Sequence, residues 1–290
     1  MNPFDLAGPQ FLAFYLVFAG AVILVLGWLR RVRESGDGLK VNLTDPYLIA
    51  YLRGGKNEAL RVGTVSLIDR GLLRVNGSRL HTDWRQATDI ITNPIETELL
   101  RKFLAADEAT SIFKTSVLEA ACESCHDTLT RQGLLPNEPV RTARITRFII
   151  GAAILFSFAF IKIMIALSRG RHNILFLVLL TLLAIFLAYK VSNPFCTLRG
   201  AKLLADLRTL FGSLKERAPV LMPGAATGEV ALLAAVFGLG ALPVSVFPHA
   251  KTLYPKASSG SSSCGSSCGS SCGSSCGGGG CGGGCGGCGS

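Results

Sequence analysis

Three stretches almost free of charge constrain this chain more than anything else in it. Phe11–Leu29 (FLAFYLVFAGAVILVLGWL) runs 19 residues without a charge, and Phe148–Leu167 (FIIGAAILFSFAFIKIMIAL) runs 20 with only Lys162. Ile174–Tyr189 adds 16 more, extended by Val191 and Ser192 beyond Lys190. At 1.5 Å rise per residue, about 20 apolar residues cross the hydrocarbon core of a bilayer. The whole chain agrees: charged residues make up 17%, against about 25% in soluble domains, and the mean hydropathy is +0.42. A disordered chain and a purely soluble enzyme are excluded. The pattern predicts a mainly α membrane protein with three transmembrane helices, over 11–29, 148–167 and 174–192, the last two joined by a short turn at 168–173.

The first stretch is not built like a signal peptide, which needs a basic segment before it and a small-residue exit after it. Met1–Gln10 hold one charge, Asp5, and the basic cluster Arg30, Arg31 and Arg33 follows the apolar run. This predicts an uncleaved anchor with residues 1–10 outside. Arg30, Arg31, Arg33, Lys40, Arg131, Arg141, Arg144, Arg147, Lys190, Arg199, Lys202 and Arg208 then flank one face of the membrane, and Arg169 and Arg171 the other. By the positive-inside rule the larger set is cytoplasmic. The expected location is a bacterial inner membrane, multi-pass, with the soluble domain over 30–147 in the cytoplasm. Lys162 lies five residues from the end of its span and is read as snorkelling to the interface.

Gly228–Pro248 (GEVALLAAVFGLGALPVSVFP) is long enough to cross, but Gly238, Gly240, Pro243 and Pro248 interrupt it. We read a short apolar helix over Val230–Leu239, docked on the domain or the membrane face. The alternative is a fourth span over 230–247, which would place the C-terminus outside.

Within the soluble domain, Asp45-Pro46 opens a helix carrying Tyr47, Leu48, Tyr51 and Leu52, and Gly54-Gly55 ends it. A second helix, Glu58–Arg70, stops at Gly71. A β-hairpin follows over 72–82, with Asn76-Gly77 at its turn. Helix, helix and hairpin together look like a winged-helix unit. Such units often bind DNA, but residues 34–140 carry 12 Lys and Arg against 15 Asp and Glu, so nucleic acid is an unlikely partner and a protein-interaction or structural wing is favoured. Two further helical stretches, Ile95–Ala105 and Thr110–Arg131, precede the second span. Beyond the third, within 193–257, Arg199–Arg217 repeats Leu204, Leu207, Phe211 and Leu214 as an amphipathic helix on the membrane surface or against the domain.

Cys122-Glu123-Ser124-Cys125-His126 matches C-x-x-C-H, the attachment pattern of c-type haem, in which two thiols bond the porphyrin and the imidazole ligates iron. Leu118, Cys122, Cys125 and Leu129 fall on one helical stripe, however, and the topology places them in the cytoplasm. Core thiols are the preferred reading. A zinc or redox pair, with His126 as a weaker ligand candidate, and haem are less favoured alternatives. His81, His172 and His249 are isolated. Glu96, Glu98, Asp107 and Glu108 sit near helix starts, where they suit the helix dipole. No catalytic residues are assigned.

The last 33 residues, 258–290, contain only Gly, Ser and Cys. Cys264, Cys268, Cys272 and Cys276 recur every four residues, and Cys281, Cys285 and Cys288 follow in glycine. Such a tail has no apolar side chain to bury and is expected to be disordered. Its seven thiols are candidate ligands for a soft metal such as Cu(I) or Zn, or substrates for a modifying enzyme. No cofactor is predicted elsewhere.

The opening Met1-Asn2-Pro3-Phe4-Asp5-Leu6, with Gly8-Pro9, Phe11-Leu12 and Phe14-Tyr15, resembles a family of uncharacterised bacterial membrane proteins. These share that N-terminus, a soluble segment like Asp69-Arg70-Gly71-Leu72-Leu73, a hairpin of spans and often a Gly/Cys-rich C-terminus. The resemblance covers roughly residues 1–250, and the tail in style. It implies architecture and bacterial origin, and it brings no catalytic residues. The expected function is therefore a membrane scaffold or interaction protein with an exposed, modifiable tail. A metal-handling or redox protein using the tail thiols is the alternative, and a membrane-anchored haem protein is disfavoured.

Overall fold

The structure, a computed structural model, describes residues 8–34, 43–82, 93–168, 175–217, 228–243 and 247–254. Most of the expected external N-terminus, nearly all of the 168–173 turn and the whole 258–290 tail, with its seven Cys, lie outside the described residues.

Helix α1 (Gly8–Glu34) extends the first apolar run into Arg31 and Arg33 of its last turn. Asp45 then caps α2 (Pro46–Gly54): its carboxylate accepts from the Tyr47 N–H at 2.9 Å, and Pro46 fills the first turn, where no N–H is needed. Gly55, at φ 77°, turns the chain directly into α3 (Lys56–Asp69). Gly71, at φ 73°, closes α3 in a Schellman arrangement: the Leu72 N–H donates to the Leu67 carbonyl at 2.9 Å and the Gly71 N–H to Ile68 at 3.0 Å.

Strands β1 (Leu73–Asn76) and β2 (Arg79–Thr82) pair antiparallel, Leu73 opposite Thr82 and Asn76 opposite Arg79. Leu80 and Thr82 face the core, whereas Arg79 and His81 are exposed. Helix α4 (Pro94–Lys102) is capped by Asn93. It ends earlier than the Ile95–Ala105 expected from the sequence. The Phe103 carbonyl accepts from the Thr82 N–H at 2.9 Å, and that of Leu100 accepts from the Thr82 hydroxyl at 2.8 Å, which draws the exit onto β2. A two-residue strand, β3 (Asp107–Glu108), extends the sheet in the order β1-β2-β3.

The helix expected over Thr110–Arg131 is two pieces. A 3₁₀ turn, Ala109–Lys114, leads to extended Thr115 and then to α5 (Ser116–Arg131). The Thr115 hydroxyl bonds the Ser111 carbonyl at 3.1 Å, and the bend lets Ala109 and Ile112 enter the core together with the stripe of α5.

Helix α6 (Glu138–Ser168) starts ten residues before Phe148 and carries Arg141, Arg144 and Arg147 on its first turns. With α7 (Leu175–Ser192) and α1 it makes three helices long and apolar enough to cross a membrane. They pack around Phe11, Tyr15, Ala19, Leu155, Ala159, Leu177 and Ala184. The Tyr15 hydroxyl donates to the Leu155 carbonyl at 3.2 Å, and the Phe18 and Phe158 rings meet at 4.5 Å. A Cβ on Gly151 would lie 2.9 Å from Leu26 Cδ1, so a side chain there would require the Leu26 side chain to shift. Lys162 Nζ lies 4.5 Å from the Phe11 ring centroid, a cation over an aromatic face.

The expected Arg199–Arg217 helix is α8 (Leu198–Leu210) and α9 (Gly212–Arg217), broken at Phe211. Its Leu204, Leu207 and Leu214 belong to the core that α2–α5 form, separate from that of the three long helices. Helices α10 (Glu229–Phe237) and α11 (Pro248–Leu253) complete that core. Val230, Ala231, Leu233, Ala234, Ala235 and Val236 of α10 are all buried, wedged mainly against α2 and α3. Nine helical residues span only about 13 Å, less than half a bilayer core. This helix is a plug in a protein interior.

Candidate functional site

Among the described residues outside the three long helices, three places that bring polar or nucleophilic groups together stand out: the C-x-x-C-H face of α5, the seat of α10, and a buried carboxylate at the start of α4.

On α5, Leu118, Cys122, Cys125 and Leu129 are all buried and point into the core. Burial, followed by the neighbouring Cys125, pushes the Cys122 thiol up to about 12, and burial with the charge of Asp45 pushes Cys125 up to about 11. Protonated, enclosed thiols are weak nucleophiles and weak metal ligands. His126 points outward, its Nδ1 3.5 Å from the hydroxyl of Tyr51. Burial and the two thiols push Tyr51 up to about 12. Among the described residues, no three His, Cys, Asp or Glu side chains converge as a metal site.

The seat of α10 is built around Arg53, on the last turn of α2 and 5% exposed. Its Nη1 donates to the carbonyls of Ala234 at 2.6 Å and Ala235 at 2.9 Å. Those carbonyls belong to the last turn of α10, at the negative end of its dipole; that of Ala234 also accepts from the Gly238 N–H at 3.0 Å. A guanidinium is therefore the C-cap of a buried helix. Glu58 pairs with Arg53 through one carboxylate oxygen and with Arg61 through the other. Burial pulls the Arg53 guanidinium down from its ordinary value, and Glu58 opposes that pull. Gly238, at φ 96°, turns the chain away at this point; a Cβ there would sit 3.2 Å from Arg53 Nη1. Arg61 also lies over the rings of Phe113, at 5.2 Å, and Tyr254, at 5.8 Å. The last described residue is thus held on the same cluster that caps α10.

No known protein family, curated protein or solved structure matches this chain. What the molecule does must be read from its own geometry.

The third cluster is Glu96, 6% exposed in the first turn of α4. Both its oxygens lie 2.9 Å from Arg70 Nη1, and the Tyr47 hydroxyl donates to Oε1. Burial and the adjacent carboxylate raise the Tyr47 hydroxyl strongly. The cluster joins α2, the end of α3 and α4. At Gly63, where a Cβ would lie 2.9 Å from Leu99 Cδ1, α3 and α4 pack closely enough that a side chain would require Leu99 to shift. A buried salt bridge with a hydroxyl donor, tying three helices together, is packing chemistry.

Sequence reasoning singled out Cys122, Cys125 and His126, and the structure puts the two thiols inside and the imidazole outside. It missed Arg53, Glu58 and Arg61. The available signal was Arg53 on the otherwise apolar PYLIAYLRG helix, a cation in a segment that has to be buried. Glu96, expected only to suit the helix dipole at the start of its helix, is a buried carboxylate paired with Arg70.

Proposed function

We propose that this protein is a membrane-anchored presentation scaffold: three spans hold it in a bacterial inner membrane, and a cytoplasmic helical domain offers the 258–290 tail to a modifying enzyme or a protein partner. One observation carries the reading. Residues 228–254, which lead into the tail, are built into the core of the domain, capped by Arg53 and clamped at Tyr254. A Gly/Ser-rich chain has a root-mean-square reach of about 5–6 Å × √n, so 33 residues sample roughly 30 Å around that fixed root. The shared core of residues 43–135 and 228–254 supports placing both on one side of the membrane, since α6 and α7 between them supply two crossings. The Lys/Arg asymmetry favours the cytoplasm for that side. The helix–helix–hairpin portion is read as winged-helix-like, and its acidic balance suits a protein partner better than nucleic acid.

The test is the intact mass of the mature C-terminus, with metal content measured on the detergent-purified chain and on a chain lacking 258–290. A covalent adduct or processed terminus on the tail is the expected result. Free thiols with a soft metal that is lost with the tail would support the metal-handling alternative. An unmodified, metal-free tail that captures no partner would overturn both. Orientation is checked separately: alkaline phosphatase fused after Gly133 is expected to be inactive and a fluorescent protein there to fluoresce, and an active phosphatase reverses the topology.

A further inference from the structure

The arginines at the basic end of the helical bundle divide into two groups. Arg144 bonds both oxygens of Glu34, Arg30 reaches the same carboxylate at 3.4 Å, and Arg141 lies 3.7 Å from Glu138. Arg33 and Arg147 have neither a carboxylate nor a hydrogen-bond partner among the described residues. Both line one groove of about 640 Å³ between the end of α1 and the start of α6, with Leu29, Thr142, Ala143 and Thr146. Among the described residues, no acidic side chain lines it. The two threonine hydroxyls donate to carbonyls of their own helix, Thr142 to Glu138 and Thr146 to Thr142, both at 2.9 Å. The donors left for a ligand are the two guanidiniums, whose forked geometry matches a phosphate.

The depth of the groove selects among phosphates. Trp28 on α1 is 64% exposed, and the Phe148 and Tyr189 rings pack edge-on at 5.4 Å. Exposed aromatic residues at the ends of spans mark the headgroup level of a bilayer. Arg33 follows Trp28 by five residues, about 7 Å along the helix, and Arg147 precedes Phe148. One turn deeper on the same helix faces, Val25 lies below Leu29 and Ile150 below Thr146, and both are exposed, at 53% and 56%. Basic at the headgroup level and apolar below, the surface has the polarity of one phospholipid.

We infer that the α1–α6 groove is a binding site for an anionic phospholipid, its phosphate held by Arg33 and Arg147 and its acyl chains lying along Val25 and Ile150. Basic pockets between spans on the cytoplasmic side recognise such headgroups by charge. The site is independent of the tail, so failure of either proposal leaves the other standing.

The probes are phosphatidylglycerol, phosphatidylcholine and inorganic phosphate. The full chain, purified in detergent, is examined by native mass spectrometry and thermal unfolding with each. Wild type is expected to retain phosphatidylglycerol in preference to phosphatidylcholine and to unfold at a higher temperature with it. Arg33→Gln/Arg147→Gln is expected to retain it roughly tenfold less or weaker still, and Arg141→Gln to behave as wild type. Equal retention of the two lipids, or an unchanged double variant, overturns the site. Displacement of the lipid by millimolar inorganic phosphate, with phosphate alone giving the same stabilisation, overturns the lipid as occupant. Should the double variant fail to fold, Arg33→Gln alone decides: a loss of preference for phosphatidylglycerol supports the site, and no loss overturns it.

Discussion

Arg144 and Glu34 meet in two parallel hydrogen bonds, 2.7 and 2.8 Å long, from positions 110 residues apart in the chain. The third guanidinium nitrogen of Arg144 donates to the Pro194 carbonyl at 2.9 Å, and Arg30 reaches the Val191 carbonyl at 3.4 Å. One carboxylate therefore ties the ends of all three long helices, and both side chains of the central pair are more than nine-tenths buried. Removing one partner of such a pair leaves a charge stranded, which costs about 3–5 kcal/mol.

Arg144→Gln is accordingly expected to lower the unfolding temperature of the detergent-solubilised protein sharply. Glu34→Gln/Arg144→Gln should cost less than the two single changes added together, because the double variant no longer strands either member of the central pair and leaves only Arg30 without its carboxylate. Strict additivity in a double-mutant cycle would show that the pair does not couple.

A second expectation concerns the seat of α10. Arg53→Met keeps much of the stem but leaves the Ala235 carbonyl without its cap, the Ala234 carbonyl with the Gly238 N–H alone, and Glu58 with Arg61 alone. A loss of about 3 kcal/mol or more is expected. Limited proteolysis should then cut within 228–254 well before it cuts elsewhere in the domain; an unchanged cleavage pattern would remove the cap from the account of the fold.

How much of this was readable from the sequence depends on the range of each interaction. Hydropathy belongs to a single segment, so the three long apolar helices and the mainly helical character were visible in the bare sequence. Turn chemistry is also local: Gly77, at φ 64°, turns β1 into β2, although Asn76 is still paired with Arg79 and the turn is Gly77-Ser78, one residue later than the expected Asn76-Gly77. The stripe of Leu118, Cys122, Cys125 and Leu129 needs only helical periodicity. By contrast, Arg53 finds Ala234 and Ala235 across 181 and 182 residues, and Glu34 finds Arg144 across two helices. No local pattern encodes a partner at that distance. The break at Thr115 was hidden for a related reason, since Ala109 and Ile112 leave the helical path to reach a core made by other segments.

Two glycines give opposite expectations. At Gly200, beside the α8 cap Thr197, a Cβ would lie 2.6 Å from the Leu134 carbonyl oxygen and 3.0 Å from Leu52 Cδ1. Backbone cannot swing aside as a side chain does, and Gly200→Ala should destabilise by about 1–3 kcal/mol. At Gly212 nothing lies within 4 Å, and alanine there should be neutral or stabilising by up to about 1 kcal/mol through helix propensity. Chemical unfolding of the two variants side by side checks both signs.

The buried thiols predict a pH dependence. An unfolded chain ionises its thiols near 9.0, whereas the fold holds Cys125 protonated to about 11 and Cys122 to about 12. Stability is therefore unaffected by these groups below pH 9 and falls as pH rises from there towards 12, because only the unfolded state gains by releasing the protons. Cys122→Ala/Cys125→Ala should show a shallower alkaline loss than wild type in unfolding measured across pH 8 to about 11. Equal slopes would contradict the burial of the thiols.

The position of α10 also dictates an order of events. Residues 43–135 leave the ribosome before α6 and α7 exist, yet their core lacks its central plug until residues 228–237 have been made. Between those moments the pocket formed by α2 and α3 presents bare apolar side chains, and Arg53 has no helix end to hold. Completion of the domain built around α10 therefore waits on synthesis of α6 and α7. A chain stalled or shortened before α10 would leave that pocket open for chaperones and proteases to recognise.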